Sequence, residues 1–352
     1  MKTVLITGVT GQDGANMAEY LLENTDYKVV GMIRRSSNIN YVNCKKIKDN
    51  KRFTFEYGDL SDSQSINQLV SKVMPDYFIN FAANSYVGCS WQMPEQIFDV
   101  NTIGVLRCLE AIKNIKPSCK FYSAGSSEEW GNVDYSPQDL KHPLKPRSPY
   151  GASKASARHI VKVYRESYNI FAIHSILFNH EGTKRGPEFV TRKITKNVSR
   201  IHHAINNKQP FRPLELGNLD SKRDWSDSED FVKGVWQMLN QEEPNDYILS
   251  SDETHSIREF VEKAFREAGI EGVWHGKGLS EEYCLPNYIM EEREAKSSVL
   301  VKINEKFYRP AEVELLLGDS SLAREKLGWK PEISFDKLVS KMVKFDIDNY
   351  EN

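Results

Sequence analysis

A doubly wound α/β fold is what this chain predicts, with a parallel sheet covered by helices on both faces and a smaller C-terminal lobe. Three observations carry that reading. Short, continuous apolar runs alternate with helical stretches through the first half. Their apolarity is continuous rather than alternating, which marks strands buried on both sides. A glycine-rich turn, GVTGQDG, follows the first run directly, where a strand passes into a helix. Alternating strands and helices imply right-handed crossovers.

Taken in order, VLITG (4–8), YKVVGMI (27–33), FTFEYGDL (53–60), YFINFAA (77–83), KFYSAGSS (120–127) and FAIHSILFN (171–179) read as six strands. Val105, Leu109 and Ile112 recur at helical spacing, and SARHIVKVYRESYN carries a helix onward from Tyr150. Past residue 180 the pattern loosens. HEGTKRGPEF reads as a loop, and RKITKNVSRIHHAI, SDSEDFVKGVWQML and SIREFVEKAFREAG read as helices, the last with Ser256 as its N-cap. The stretch from Gly276 to Lys306 reads as charged and irregular. Residues 1–178 therefore form a dinucleotide-binding unit to which a segment around 215–250 returns. Residues 179–352 mainly build a second, interdigitated lobe that binds substrate.

The turn sets Gly8, Gly11 and Gly14 around Thr10, Gln12 and Asp13. Glycines there permit close approach of a pyrophosphate to backbone at a helix N-terminus, the Rossmann arrangement. NAD binders place an acid about twenty residues further on, for the ribose 2′-hydroxyl. Here the second strand ends in Arg34-Arg35-Ser36-Ser37. Arginine grips a phosphate bidentately where a carboxylate would repel it, so the expected cofactor is NADP. Asp59 and Leu60 end the third strand where an adenine would lie, and the small Ala82 and Ala83 end the fourth where the cofactor would pass.

SPYGASKAS places Tyr150 and Lys154 one turn apart on the helix after the fifth strand. Alone, the spacing also fits an ordinary exposed helix face. Beside a dinucleotide it fits a base. An ammonium and an oxidised nicotinamide both favour the phenolate, and are expected to bring Tyr150 down from about 10 towards neutrality. The fifth strand ends in Ser126-Ser127-Glu128-Glu129. Ser126 is placed to bond the hydroxyl being oxidised. Glu128 has no use in a plain dehydrogenase, but suits an enzyme that removes a proton alpha to a new ketone and expels water. Glu129 should point the other way if the segment stays extended.

Bulk properties exclude other classes. The chain has 352 residues, and Lys+Arg 47 against Asp+Glu 49 leaves a net charge of -2, so there is no whole-molecule field for nucleic acid or an anionic membrane. Its five scattered cysteines lack C-x-x-C spacing, giving neither a disulfide framework nor a metal site. The N-terminal apolar run ends too soon for a signal peptide, and no apolar run reaches membrane-spanning length. A cytoplasmic protein is expected.

GVTGQDG, RRSS, YGDLSDS, SSE, SPYGASK, LFNHEGTKRGPEFVTRKI, LGNLDSKRDW and FYRPAEVE together resemble the GDP-mannose 4,6-dehydratase family of extended short-chain dehydrogenases, from residue 3 to about 345. The resemblance implies one reaction in three stages. Tyr150, helped by Ser126, takes the C4 hydroxyl proton as hydride leaves C4 for NADP+. Glu128 removes the C5 proton and returns it to the departing C6 hydroxyl. Hydride then comes back to C6 and a proton is added at C5. It also implies that Ser85, Asn179, Lys193, Arg223, Arg309 and Glu312 meet the sugar nucleotide. Ser85, His180 and Arg185 would lie on the cofactor side. The implied partner is a GDP-linked manno sugar, and the implied assembly a homodimer or homotetramer. In related dTDP-glucose dehydratases an aspartate precedes the glutamate; Ser127 stands there here, leaving Glu128 both tasks.

Several positions depart from the family's pattern. Ser126 replaces its threonine, Glu129-Trp130 its Leu-Tyr, Asn84-Ser85-Tyr86 its Gln-Ser-His, and Gly182-Thr183 its Ser-Pro. These segments are expected to flank the sugar pocket, which keeps a GDP-manno-heptose open beside GDP-mannose. A nucleotide-sugar 4-dehydrogenase or epimerase that never expels water remains a second reading. A regulator that only senses NADP is a third, and the tyrosine–lysine pair argues against it.

Overall fold

Six apolar runs form six of the seven strands of a parallel sheet in the computed structural model, which describes residues 1–286, 298–308 and 315–350. The strands are β1 (Thr3–Thr7), β2 (Lys28–Ile33), β3 (Phe53–Tyr57), β4 (Tyr77–Asn80), β5 (Lys120–Ala124) and β6 (Ala172–Leu177). Further along come β7 (Asn179–Glu181), β8 (Leu214–Leu216), β9 (Lys222–Arg223), β10 (Trp225–Asp227) and β11 (Ile248–Leu249). The seventh strand is β11, and the order across the sheet is β11-β6-β5-β4-β1-β2-β3. β1 sits between β4 and β2, so the strand order reverses beside it, and a crevice opens at its C-terminal end.

Helices α1 (Gln12–Asn24), α2 (Ser63–Val73), α3 (Pro94–Phe98), α4 (Gly104–Ile115), α5 (Pro149–Tyr168), α6 (Val190–Asn206) and α7 (Ser228–Leu239) follow in chain order. Residues alternate across the strands as the pleat requires. Val4, Ile6, Val29 and Ile79 face a core shared with Met17 and Leu21 of α1 and Phe231 and Val235 of α7. Leu5, Val30, Phe78 and Phe121 face the other side, against Leu69 of α2, Leu109 of α4 and Val161 of α5. Both faces are dry, which is why the strands read as continuous apolar runs. The chain thus leaves the sheet after β6 and returns through α7 and β11.

A second core holds the remainder. The elements β12 (His255–Ser256), α8 (Ile257–Glu267), β13 (Val273–His275), β14 (Glu282–Cys284), β15 (Val299–Ile303), α9 (Ser321–Leu327) and α10 (Phe335–Asp348) complete the order. Ile194 and Val198 of α6, Phe260 and Phe265 of α8, and Leu338 and Met342 of α10 pack together with Tyr283 and Val301. Ser256 caps α8 as its sequence indicates, in a reciprocal box with Glu259. The stretch from Gly276 to Lys306, read as irregular, contains β14 and β15, which pair with each other, and β15 also pairs with β8. Their partners are distant in sequence, so local pattern gave no register. Among the described residues no helix is long and apolar enough to cross a membrane.

Candidate active site

The glycine turn leaves β1 and enters α1. Gly8 has φ +68°, and a Cβ there would stand 2.8 Å from the Ala82 nitrogen, so both conformation and space require glycine. A Cβ on Gly14 would run into the Gly8 carbonyl. Gly11 is the N-cap of α1 and offers no side chain to its first N–H groups, which leaves those donors for an anion. Gln12 Nε2 donates to Asp13 Oδ1 and to the His180 carbonyl, both at 3.0 Å. Its Oε1 is buried with no hydrogen bond among the described residues. Thr10 is half-buried, its carbonyl bonded by Asn43.

The rest of the expected cofactor track lies along the same strand ends. Arg34 and Arg35 are exposed beside a cavity of about 450 Å3, which Asp59 and Tyr57 also line. Neither arginine meets a carboxylate among the described residues. Asp59 Oδ1 accepts from the Ser61 amide and hydroxyl at 2.9 and 2.7 Å, which directs the carboxyl. Leu60 is buried, and Ala82 and Ala83 are half-buried. The Ala82 amide donates to Thr7 Oγ1 at 3.1 Å, holding the loop after β4 against β1.

His180 sits differently from a free contact group. Its Nε2 is 3.0 Å from Asp13 Oδ2 and its Nδ1 2.7 Å from the Phe178 carbonyl, and its ring stacks on Phe231 at 4.7 Å. Burial opposes both charges, yet each holds the other: the imidazole is raised and the carboxyl lowered from their ordinary values. The pair ties α1 to β7. Arg185 lies 3.0 Å from Glu181 and stacks on Phe189 at 3.6 Å.

Ser148 caps α5 by accepting from the Gly151 amide at 3.0 Å, and Pro149 opens the helix. Tyr150 and Lys154 thus start α5 facing the end of β5. Lys154 Nζ donates to the Ala124 carbonyl at 2.7 Å and lies 6.0 Å from the Tyr150 ring centre. Burial brings Lys154 down to about 8, against the favourable charges of Glu129 and Asp13. Burial pushes Tyr150 up to about 12, with the Ser126 hydroxyl pulling down and Glu128 and Glu129 pushing further up. In the protein alone, then, the tyrosine goes opposite to the expected fall towards neutrality, because burial and two carboxylates outweigh the Ser126 hydroxyl and the Arg185 charge.

β5 stops at Ala124, earlier than the apolar run indicates, and Ser127–Glu129 forms a turn of 3-10 helix. Ser126 caps it, its hydroxyl accepting from the Glu128 amide at 3.3 Å. The turn holds Glu128 half-buried on the Tyr150 side, and its carbonyl fills the space where a Gly151 side chain would go. Ser127 is buried, at 3 % exposure. Glu129 turns inward with no exposure.

On the substrate side, Asn179 begins β7 with its Oδ1 buried and unbonded among the described residues. Lys193 on α6 donates to the Glu215 carbonyl at 2.6 Å and lies 3.4 Å from the Phe307 ring centre; burial brings it down to about 8. Arg223 is nearly buried on β9. Ser85 is exposed on the loop after β4. Arg309 and Glu312 lie outside the described residues.

Comparison with known proteins adds the next observation. The sequence profile of the GDP-mannose 4,6 dehydratase family matches residues 5–342. The chain belongs to the GDP-mannose 4,6-dehydratase family. A "GDP-mannose 4,6 dehydratase" of Drosophila melanogaster is 43% identical over 99% of this chain and 86% of its own. One from Vibrio cholerae serotype O1 is 42% identical over 100% and 95% of the two chains. A dTDP-glucose 4,6-dehydratase from Bacillus anthracis, in complex with NAD, superimposes with a TM-score of 0.79 over 99% of this chain and 97% of its own, at 20% identity. That likeness shows the shared fold.

Set against the GDP-mannose 4,6-dehydratase pattern, two departures leave the pocket. Glu129 and Trp130 were expected to flank the sugar, but both are wholly buried. Trp130 packs on Phe178 at 5.6 Å, in a small core with Ile176 and Leu316. Tyr86 does face outward, edge-on to Phe189 at 6.2 Å. The structure also adds residues that the sequence reading missed. Asn101, in a π-helical turn before α4, accepts from the Asn84 amide at 2.9 Å and donates to Ser153 Oγ at 3.1 Å. Ser153 in turn donates to the Tyr150 carbonyl at 2.7 Å. This chain of bonds fixes the loop after β4 to α5. A π turn breaks the helical period, so no repeat in the sequence marks Asn101.

Proposed function

We propose that this chain is an NADP-dependent 4,6-dehydratase acting on a GDP-linked manno sugar, GDP-mannose, to yield the 4-keto-6-deoxy product. The observation that carries the reading is the meeting of Ser126, Glu128 and Tyr150 at the end of β5, with Glu128 close enough to act on the phenol. An epimerase has no use for that carboxylate. The family relationship supports the sugar nucleotide.

The residues present fit the cofactor. Gly8 and Gly14 keep Cβ atoms out of the turn, the α1 amides are uncapped, and Gln12 Oε1 is a buried acceptor awaiting a donor. Gly8, Gly11 and Gly14 would hold the pyrophosphate, Arg34 and Arg35 the 2′-phosphate, and Asp59 the adenine. When bound, NADP supplies the acceptor and later the donor of hydride, and in its oxidised form a positive charge beside the phenol.

The chain's own residues do the proton work. Ser126 donates to the oxygen at C4, and Tyr150 receives the hydroxyl proton. Raised to about 12, the phenol keeps its own proton in the protein alone; it accepts the C4 hydroxyl proton as the phenolate, formed by loss of its proton to solvent once positive charge is close. Glu128 accepts the C5 proton, made acidic by the C4 ketone, and delivers it to the C6 oxygen as the C–O bond breaks and water leaves. Asn179, Lys193 and Arg223 would hold the GDP moiety, with the cations set against its diphosphate.

A second substrate, GDP-manno-heptose, stays favoured by Ser85 and Tyr86 being exposed and Thr183 half-buried, open to a larger C6 group. Purified protein with NADP+ and an equimolar mixture of the two sugars decides by mass spectrometry. Loss of one water from GDP-mannose is expected. Loss from the heptose alone would move the substrate, and reduced cofactor without water loss would favour the 4-dehydrogenase. Cytoplasmic residence rests on the mostly buried free thiols, and a homodimer or homotetramer on the family resemblance. Light scattering after gel filtration checks the latter.

A further inference from the structure

Directly behind the proposed reacting groups lies a carboxylate–imidazole pair with no solvent contact. Glu129 Oε1 accepts from the Ser126 amide at 2.8 Å and lies 2.9 Å from His174 Nε2, and both side chains are wholly buried. Glu129 Oε2 and His174 Nδ1 have no hydrogen-bond partner among the described residues. Gly125 makes the pairing possible: a Cβ there would stand 2.7 Å from Glu129 Oε1 and collide with His174 Nε2. The family's usual residue at position 129 is leucine, so the charge belongs to this chain and not to its pattern.

Burying a charged pair costs desolvation free energy, which a further charged neighbour can offset. That neighbour is Lys154. Its ammonium is buried, donates to the Ala124 carbonyl at 2.7 Å, and feels Glu129 as its foremost favourable charge. The titratable groups facing Lys154 are Glu129 and Asp13, together with the Tyr150 ring 6.0 Å away. Those facing Glu129 are His174, Lys154 and Tyr150.

We propose that Glu129, oriented by His174, is a positioning residue of the active site: it fixes the Ser126 end of β5 through the Ser126 amide and sets its carboxylate beside the Ala124–Gly125 segment that holds the Lys154 ammonium. His174 Nε2–H donates to Oε1, which aims the carboxylate at both. The kinetic arm below rests on the dehydratase reading; the stability arm does not.

The test compares wild type, Glu129→Gln, Lys154→Met and the double variant, each as full-length, cofactor-free chain, by thermal midpoint between pH 6 and 10. A lysine whose folded pKa lies below its unfolded value of 10.5 makes the protein gain stability with rising pH, because the unfolded state still holds the proton that the native state has lost. In wild type that gain starts near pH 8. In Glu129→Gln it is expected to start about one unit lower, the scale of one lost charge contact. Without Lys154 its share of the gain should disappear, leaving that of Lys193, which burial also brings down to about 8, and the Glu129→Gln shift should vanish with it. In turnover, the basic limb of kcat/KM should move down by a similar step. A midpoint change of equal size at every pH, or one that survives in Lys154→Met, would reduce Glu129 to a packing group and overturn the proposal. If Glu129→Gln does not fold, Glu129→Leu, the family's usual residue, carries the same comparison.

Discussion

At Tyr150 burial lifts the phenol to about 12, and the Ser126 hydroxyl recovers only part of that. Tyr150→Phe removes the proton acceptor and is expected to lower kcat by about 10²–10⁴ with little change in thermal midpoint, measured by product formation and calorimetry. Glu128→Gln should separate the stages. Hydride removal from C4 continues while water loss falls by a similar factor, seen as reduced cofactor with a bound ketone lighter than the substrate by the hydrogens lost at C4 and retaining its C6 oxygen. Arg34 and Arg35 are exposed and meet no carboxylate among the described residues, so they are available to a phosphate. Replacing both by alanine should weaken NADP by about 1.5–3 kcal/mol per lost charged hydrogen bond while leaving NAD nearly unchanged, read by titration of each cofactor.

Among the elements, the β1–α1 turn works because the helix begins close beneath the turn that precedes it. A Gly14→Ala methyl would meet the Gly8 carbonyl and the Val9 Cα within 2.7 Å or less. Backbone must shift, since no flexible side chain stands there to yield. The expected cost is about 1–3 kcal/mol of stability, with cofactor affinity at least tenfold weaker. β5 and α5 meet on similar terms. Gly151 lets the Glu128 carbonyl approach α5, and Ser148 caps the helix so that Tyr150 lies in its first turn. The glycine turn and the tyrosine–lysine spacing are local signals, and a reader of the sequence finds both. The 3-10 turn at Ser127–Glu129 is not local in that sense. It is held by Glu129 reaching back to Ser126 and across to His174 on β6, a partner no nearby pattern indicates.

Over the whole molecule, the Asp13–His180 pair ties α1 to β7, segments far apart in sequence. Burial opposes it, but the opposite charge lowers Asp13 and raises His180. The signs give a window. The lowered aspartate contributes stability above its ordinary 3.8 and loses it as pH falls through its folded value. The raised histidine contributes below its ordinary 6.5 and loses it as pH rises through its folded value. His180→Asn should therefore lower the thermal midpoint most between about pH 4 and 6.5, and progressively less above, in scans without cofactor. A loss that is flat across pH would mean that the pair acts through packing alone.

The chain by itself determined the class of fold, the dinucleotide turn and the residues Ser126, Glu128, Tyr150 and Lys154, because each rests on short-range chemistry. Apolar runs, glycines at a strand end and side chains one turn apart all act within a few residues. Tertiary structure alone decided the return of α7 and β11 to the sheet, the pairing of β14 with β15, and the burial of Glu129 against His174. Those depend on segments far apart in sequence meeting in one dry interior, where a carboxylate keeps its charge only beside partners that folding brings to it.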